Sequence, residues 1–164
     1  MQDIIVIAHN IRSTHNVGAI FRTAEGFGIT RIILSGYTPY PTFPGDTRLP
    51  HIADKLTAQI HKTALDAEQM VPFTYQETLD FSQLHAEGYM VVGLEQDPKS
   101  ILLPDYTPPD KIALLLGEEV EGISANLLNE CDKLIEIPMV GKKESFNVSI
   151  AAGIALYHLS NSSI

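Results

Sequence analysis

Three stretches carry residue types that do chemistry at close quarters: "HNIRSTHNVGA" (9–19), "LLLGEEVEGIS" (114–124) and "IEIPMVGKKESFNVS" (135–149). The first offers Asn10, Arg12 and Asn16. The second sets Glu118, Glu119 and Glu121 behind Gly117, and the third crowds Ser145, Asn147 and Ser149 behind Pro138 and Gly141. Taken singly, each residue also serves as a turn residue, a helix cap or a solvated charge. Taken together they describe a ligand read by backbone groups and small polar side chains. The phosphate-binding patterns GxGxxG and GxxxxGK[ST] are both missing.

Arg22 raises a separate question. The apolar residues Val17, Ile20, Phe21, Ala24 and Phe27 recur at helical spacing, and Arg22 points off that stripe. Gly18 and Gly26 flank it one turn away on the same line, although each glycine costs a helix about 1 kcal/mol against alanine. The expectation is that a ligand or partner comes close to the guanidinium.

The elements that must position these residues follow from the apolar pattern. "DIIVIAH", "RIILSGY", "VPFTYQ", "YMVVGLEQ", "KIALLLGEE" and "KLIEIPM" read as near-continuous hydrophobic strands. They alternate with helices predicted over 16–27, within 52–70, over 79–87, after Ser124 and over 145–160, with Ser124 and Ser145 as N-caps. That alternation predicts an α/β fold with a mostly parallel sheet covered on both faces. In such sheets ligands sit beyond the carboxyl ends of the strands, where all three polar stretches begin. The stretch "YTPYPTFPGDTRLP" is a long loop, and loops of that length in a compact domain are usually functional.

Composition narrows the class. The 164 residues predict one domain, 1–164, without a further RNA-binding domain, and no apolar run is long enough to span a membrane. The first residues read as a strand and not as a signal peptide, which predicts a cytoplasmic protein. A single cysteine, Cys131, excludes an internal disulfide, and the six histidines form no HxxxH or HxH pair, so no metal site is expected. The net charge of −9 excludes an indiscriminate nucleic-acid binder while leaving room for a local basic patch.

"NIRSTHNVGAIFRTAEGFG", "LLLGEEVEGIS" and "IEIPMVGKKESFNVSIAAGIAL" resemble, in order and internal spacing, the three motifs of the SpoU/TrmH branch of the SPOUT superfamily, the RNA ribose 2′-O-methyltransferases. The resemblance implies a C-terminal trefoil knot that holds S-adenosylmethionine, with Leu116, Gly117, Ile137 and Met139 lining the cofactor pocket and Ser145 and Asn147 nearby. It implies catalytic roles for Arg22, Asn16, Glu119, Ser145 and Asn147. Guanidinium groups in general keep their proton, so Arg22 is read as stabilising the developing alkoxide and holding the adjoining phosphate. The resemblance further implies tRNA or rRNA as substrate and a homodimer formed through the first and last helices. Small residues of the last helix (Ala151, Ala152, Gly153 and Ala155) would allow close packing there. Glu118 stands where the family usually has Asn or Ser, and Asp66 where many relatives have glycine. Arg12, Arg48, Lys55, Lys62, Lys142 and Lys143 are the candidates for phosphate contact. Two alternatives remain at this point: a knotted S-adenosylmethionine- or RNA-binding module without turnover, and a flavodoxin-like nucleotide-binding protein.

Overall fold

In a computed structural model, which describes residues 2–161, seven strands form one parallel sheet: β1 (Asp3–His9), β2 (Arg31–Ser35), β3 (Phe73–Gln76), β4 (Met90–Leu94), β5 (Ile101–Leu102), β6 (Lys111–Leu116) and β7 (Lys133–Glu136). Their order across the sheet is β3-β2-β1-β6-β4-β7-β5. Val6 of β1 registers with Ile32 on one side and Leu114 on the other. The helices are α1 (Thr14–Gly26), α2 (Pro50–Ala64), α3 (Ala67–Met70), α4 (Ser82–Ala86), α5 (Ala125–Glu130) and α6 (Val148–Asn161).

The period of two along β1 divides the core between the two faces of the sheet. Ile4, Val6 and Ala8 pack with Val17, Ile20, Phe21 and Ala24 of α1, Ile60 of α2 and Leu156 of α6. Ile5 and Ile7 pack on the other face with Phe81, Leu84, Tyr89 and Ile123. Both faces of the central strands are therefore buried, as their unbroken apolar runs require.

The strands read from the sequence are all present, but β5 is new. Its two residues carry no periodicity of their own and take their conformation from pairing with β7. The last helix starts later than its sequence suggests: Asn147 Oδ1, and not Ser145, accepts the Ser149 N–H at 2.9 Å. Ser124 precedes α5 in extended conformation but makes no side-chain cap bond. For α1 the cap is Ser13, whose Oγ accepts from Asn16 N at 3.2 Å.

Gly18 also has a different purpose from the one its position beside Arg22 suggested. A Cβ there would run into Thr63 Oγ1 and the Ile60 carbonyl of α2 and stand 3.0 Å from Ala64 N, so this glycine lets two helices touch and opens no path to Arg22. Gly26 faces open space.

At the α2–α3 corner Leu65 and Asp66 both have positive φ (49° and 74°), a conformation that glycine adopts most readily. Asp66 faces His61, whose Nδ1 lies 2.7 Å from Glu68 Oε1 and 3.7 Å from Asp66 Oδ1. Among the described residues, these three form the one group of metal-ligating type whose ligand atoms lie within 4.8 Å of one another. The sequence pattern missed it because its members are spaced for a corner and not for a helix face. Bonding to Glu68, then the two carboxylate charges, raises the His61 pKa above its ordinary 6.5. A raised histidine stabilises the fold fully below its unfolded pKa, and that contribution is lost as pH rises through the folded value. The melting temperature should thus fall from pH 6 to pH 8 by more in wild type than in His61→Gln; parallel curves would show the pair contributes nothing.

Candidate active site

β1 and β6 lie side by side, yet the chain leaves them in opposite directions, from β1 to β2 and from β6 across β4 to β7. Such a reversal opens a crevice at the carboxyl ends of the two strands. There the three polar stretches meet. Asn16 Nδ2 donates to Glu119 Oε1 at 3.1 Å, and Asn147 Nδ2 donates to Asn16 Oδ1 at 3.2 Å. Asn147 is itself oriented by Ser149, whose N–H and hydroxyl both donate to its Oδ1, at 2.9 and 2.6 Å. The Arg12 N–H points at Glu119 Oε2 from 3.5 Å. One chain of hydrogen bonds therefore runs through residues 12, 16, 119, 147 and 149, fixing a carboxylate at the rim of the crevice.

Beside it opens a cleft whose lining includes Leu116, Gly117, Ile137, Met139 and Ser145 but not Asn147. Gly117 is required sterically: a Cβ would stand 2.6 Å from Ile123 N and 2.7 Å from Gly122 C. Five glutamates line the same cleft, at positions 95, 118, 119, 121 and 136. Glu95 went unnoticed in the sequence, although "GLEQ" also leaves a strand end. Its Oε2 accepts the Ile123 N–H at 2.9 Å and so holds the 117–123 turn against β4. Gln96 does the same for the other loop, donating to the Glu144 carbonyl at 2.6 Å.

Arg22 stands apart. Its exposed side chain makes no hydrogen bond or ion pair with the described residues and does not line the cleft. Six residues beyond Asn16, it sits roughly 9 Å further along α1 and about 120° around it. Burial, then the neighbouring carboxylates, push the Cys131 thiol up to about 11, which disfavours the reactive thiolate.

Residues 45–157 match the SpoU rRNA Methylase family. The chain belongs to the SpoU methylase family. A 23S rRNA (guanosine-2′-O-)-methyltransferase RlmB of Coxiella burnetii is 31% identical over 160 residues, 95% of this chain and 57% of that protein. A tRNA (guanosine(18)-2′-O)-methyltransferase of Aquifex aeolicus is 32% identical over 158 residues, 95% of this chain and 68% of that one. Among solved structures, the AdoMet-bound rRNA methyltransferase from Sinorhizobium meliloti superposes with a TM-score of 0.78 at 26% identity, over 95% of this chain and 55% of that one. The SpoU chain described here thus spans little more than half the length of several relatives it matches. A flavodoxin-like fold is set aside, because that fold orders its strands 2-1-3-4-5. No helix among the described residues of this SpoU protein is long and apolar enough to cross a membrane.

Proposed function

We propose that this SpoU chain transfers the methyl group of S-adenosylmethionine to a ribose 2′-hydroxyl of tRNA or rRNA, acting as a homodimer in the cytoplasm. The observation that carries the reading is the Asn147–Asn16–Glu119 hydrogen-bond chain at the rim of an acid-lined cleft. The cleft fits the cofactor. Its apolar walls suit the adenine ring and the methylene groups, the glutamates suit a sulfonium and an ammonium, and Gly117 lets the 117–123 turn that lines the cleft fold back closely on the end of β6. When bound there, the cofactor supplies an electrophilic methyl group.

The protein's part is positioning and proton handling. Asn16 and the Arg12 N–H hold both oxygens of Glu119, leaving lone pairs to accept the ribose proton. Ser145 in the cleft wall and Asn147 at its rim hold the nucleotide, and Arg22 stabilises the alkoxide as it forms. The knot implied by the resemblance is supported by the strand order, in which β6 and β7 each enter beside β4, a strand earlier in the chain.

The dimer reading rests on α6, although two of the four small residues that suggested it are turned inward. Ala152 and Ala155 are buried against the protein's own core. α6 also offers an apolar outer edge, with Ile150 55% and Tyr157 63% exposed, and Tyr157 meets Phe27, just past the end of α1, edge-on at 6.3 Å. Tyr157→Glu should convert a dimer to a monomer in sedimentation velocity and take methyl transfer with it; a wild-type mass that stays monomeric at all concentrations would end the dimer reading.

The function itself is tested by incubating the protein with tritiated S-adenosylmethionine and RNA from cells lacking its gene, then mapping 2′-O-methylation by mass spectrometry. Label in a ribose is the expected result. Cofactor binding without transfer to any RNA would favour the non-catalytic binding module.

A further inference from the structure

We propose that a second hollow, beside the cleft, is a stacking shelf for an unpaired nucleotide of the RNA, with Tyr37 supplying the face and Arg12 the phosphate contact. For the identity of its occupant the proposal rests on the reading of this chain as an RNA methyltransferase. The hollow measures about 520 Å³, ample for a nucleotide, and its walls include Arg12, Tyr37, Tyr40, Gln59 and Tyr75.

Charge separates it from the cleft. Five glutamates line the cleft, and no carboxylate lines the hollow. In a chain of net charge −9, this is a place where a polyanion meets cations without facing acids.

The two arginines of the hollow differ in availability. Arg48 is committed to the protein: its guanidinium lies 3.6 Å over Tyr40 and bonds to Asp46 at 2.6 Å and to the carbonyls of Tyr40 and Pro41. Bonding to Arg48 holds the Asp46 carboxyl down to about 2. Tyr40 in turn stacks on Tyr75 at 4.1 Å, and Tyr75 donates its hydroxyl to the Gly36 carbonyl at 2.7 Å. Arg48, a sequence candidate for phosphate contact, is therefore part of a rigid wall. The Arg12 side chain, by contrast, has no hydrogen bond or ion pair among the described residues, only the Tyr37 ring 6.0 Å away.

Tyr37 is held out to solvent, 51% exposed, by the turn beneath it. Gly36 has φ +63°, a Cβ there would strike the Asn10 side chain, and Asn10 Oδ1 accepts the Tyr37 N–H at 3.1 Å. An aromatic face set in advance beside a free guanidinium is how proteins take up splayed bases of single-stranded RNA. Arg12 also joins the two sites, since its N–H points at Glu119. A nucleotide on the shelf would neighbour the one being methylated.

The test uses the full chain and a fluorescent single-stranded RNA hexamer, read by anisotropy at several salt concentrations. Tyr37→Ala should weaken binding about tenfold, and Tyr37→Phe should stay within about twofold of wild type. Arg12→Ala should weaken binding and reduce the slope of log affinity against log salt by about 0.7. Unchanged thermal melting confirms that these exposed substitutions leave the fold alone. Wild-type affinity in Tyr37→Ala, or a wild-type protein that does not bind the hexamer, overturns the shelf. In methyl transfer, a raised KM with unchanged kcat in Tyr37→Ala supports it, and an unchanged KM overturns it alone. Tyr37-dependent binding without transfer to any cellular RNA sustains the shelf and overturns the enzymatic reading.

Discussion

Arg22→Ala should reduce methyl transfer by about 10²- to 10³-fold while leaving affinity for S-adenosylhomocysteine within about twofold of wild type. The cofactor loops lie elsewhere, and Arg22 touches none of the described residues through a polar contact, so neither cofactor site nor fold depends on it. Arg22→Lys should recover little, because lysine keeps the charge and loses the planar fork that grips a phosphate. Within one chain the guanidinium stands off the cleft, so in the proposed homodimer it would act in the cleft of the second copy. Mixing decides between the two. Gly117→Ala displaces the 117–123 turn that lines the cleft of its own chain, because the added Cβ would stand 2.6 Å from Ile123 N and 2.7 Å from Gly122 C. A mixed dimer of Arg22→Ala with Gly117→Ala then has one intact cleft served by one intact arginine of the other chain. Activity returning on mixing is expected; two inactive proteins that stay inactive together would return Arg22 to its own chain or remove it from catalysis.

Gly18→Ala should destabilise the fold by about 3 kcal/mol, lowering the melting temperature by roughly 6–12 °C. The added methyl meets a backbone carbonyl and a backbone nitrogen of α2, which cannot rotate away as a side-chain tip can. Gly26→Ala supplies the contrast. It sits in the same helix with nothing within 4 Å, so alanine there should be neutral or stabilise by up to about 1 kcal/mol. Equal melting temperatures for the two variants would mean that α1 and α2 can slide apart at no cost.

These two glycines show where sequence reading succeeds and where it stops. Both were visible as exceptions in a helical pattern, and the apolar stripe of α1 was visible beside them. Which one had a neighbour depended on α2, forty residues away, and no local pattern carries that. The meeting of Asn16, Glu119 and Asn147 was legible, because a parallel sheet gathers the loops that follow its strands at one edge. The order of the strands was not, since continuous apolar runs such as "DIIVIAH" and "KIALLLG" fit any interior position equally. Ser145 and Asn147 are both good caps two residues apart, and only the backbone path distinguishes them. Glu95 and Gln96 were overlooked because their loop lacks glycines and mixes charges of both signs, and their work is done on backbone groups of other loops.

The strand order also fixes a timetable. β1 pairs with β6, and both neighbours of β4 come after it in the chain. On a ribosome, roughly a hundred residues must be added between the end of β1 and β6, which takes about 5–20 s. Throughout that interval "IIVIA" presents an open hydrophobic edge, and β4, once made, waits without a partner until β6 follows. Edges of this kind pair with whatever strand is offered, so the half-made sheet is exposed to its own copies before its own C-terminal strands arrive. Refolding from denaturant meets the same bottleneck, with β6 and then β7 threading into place beside β4. Yield should accordingly fall as protein concentration rises, and the stability of the finished molecule gives no guide to how many chains reach it.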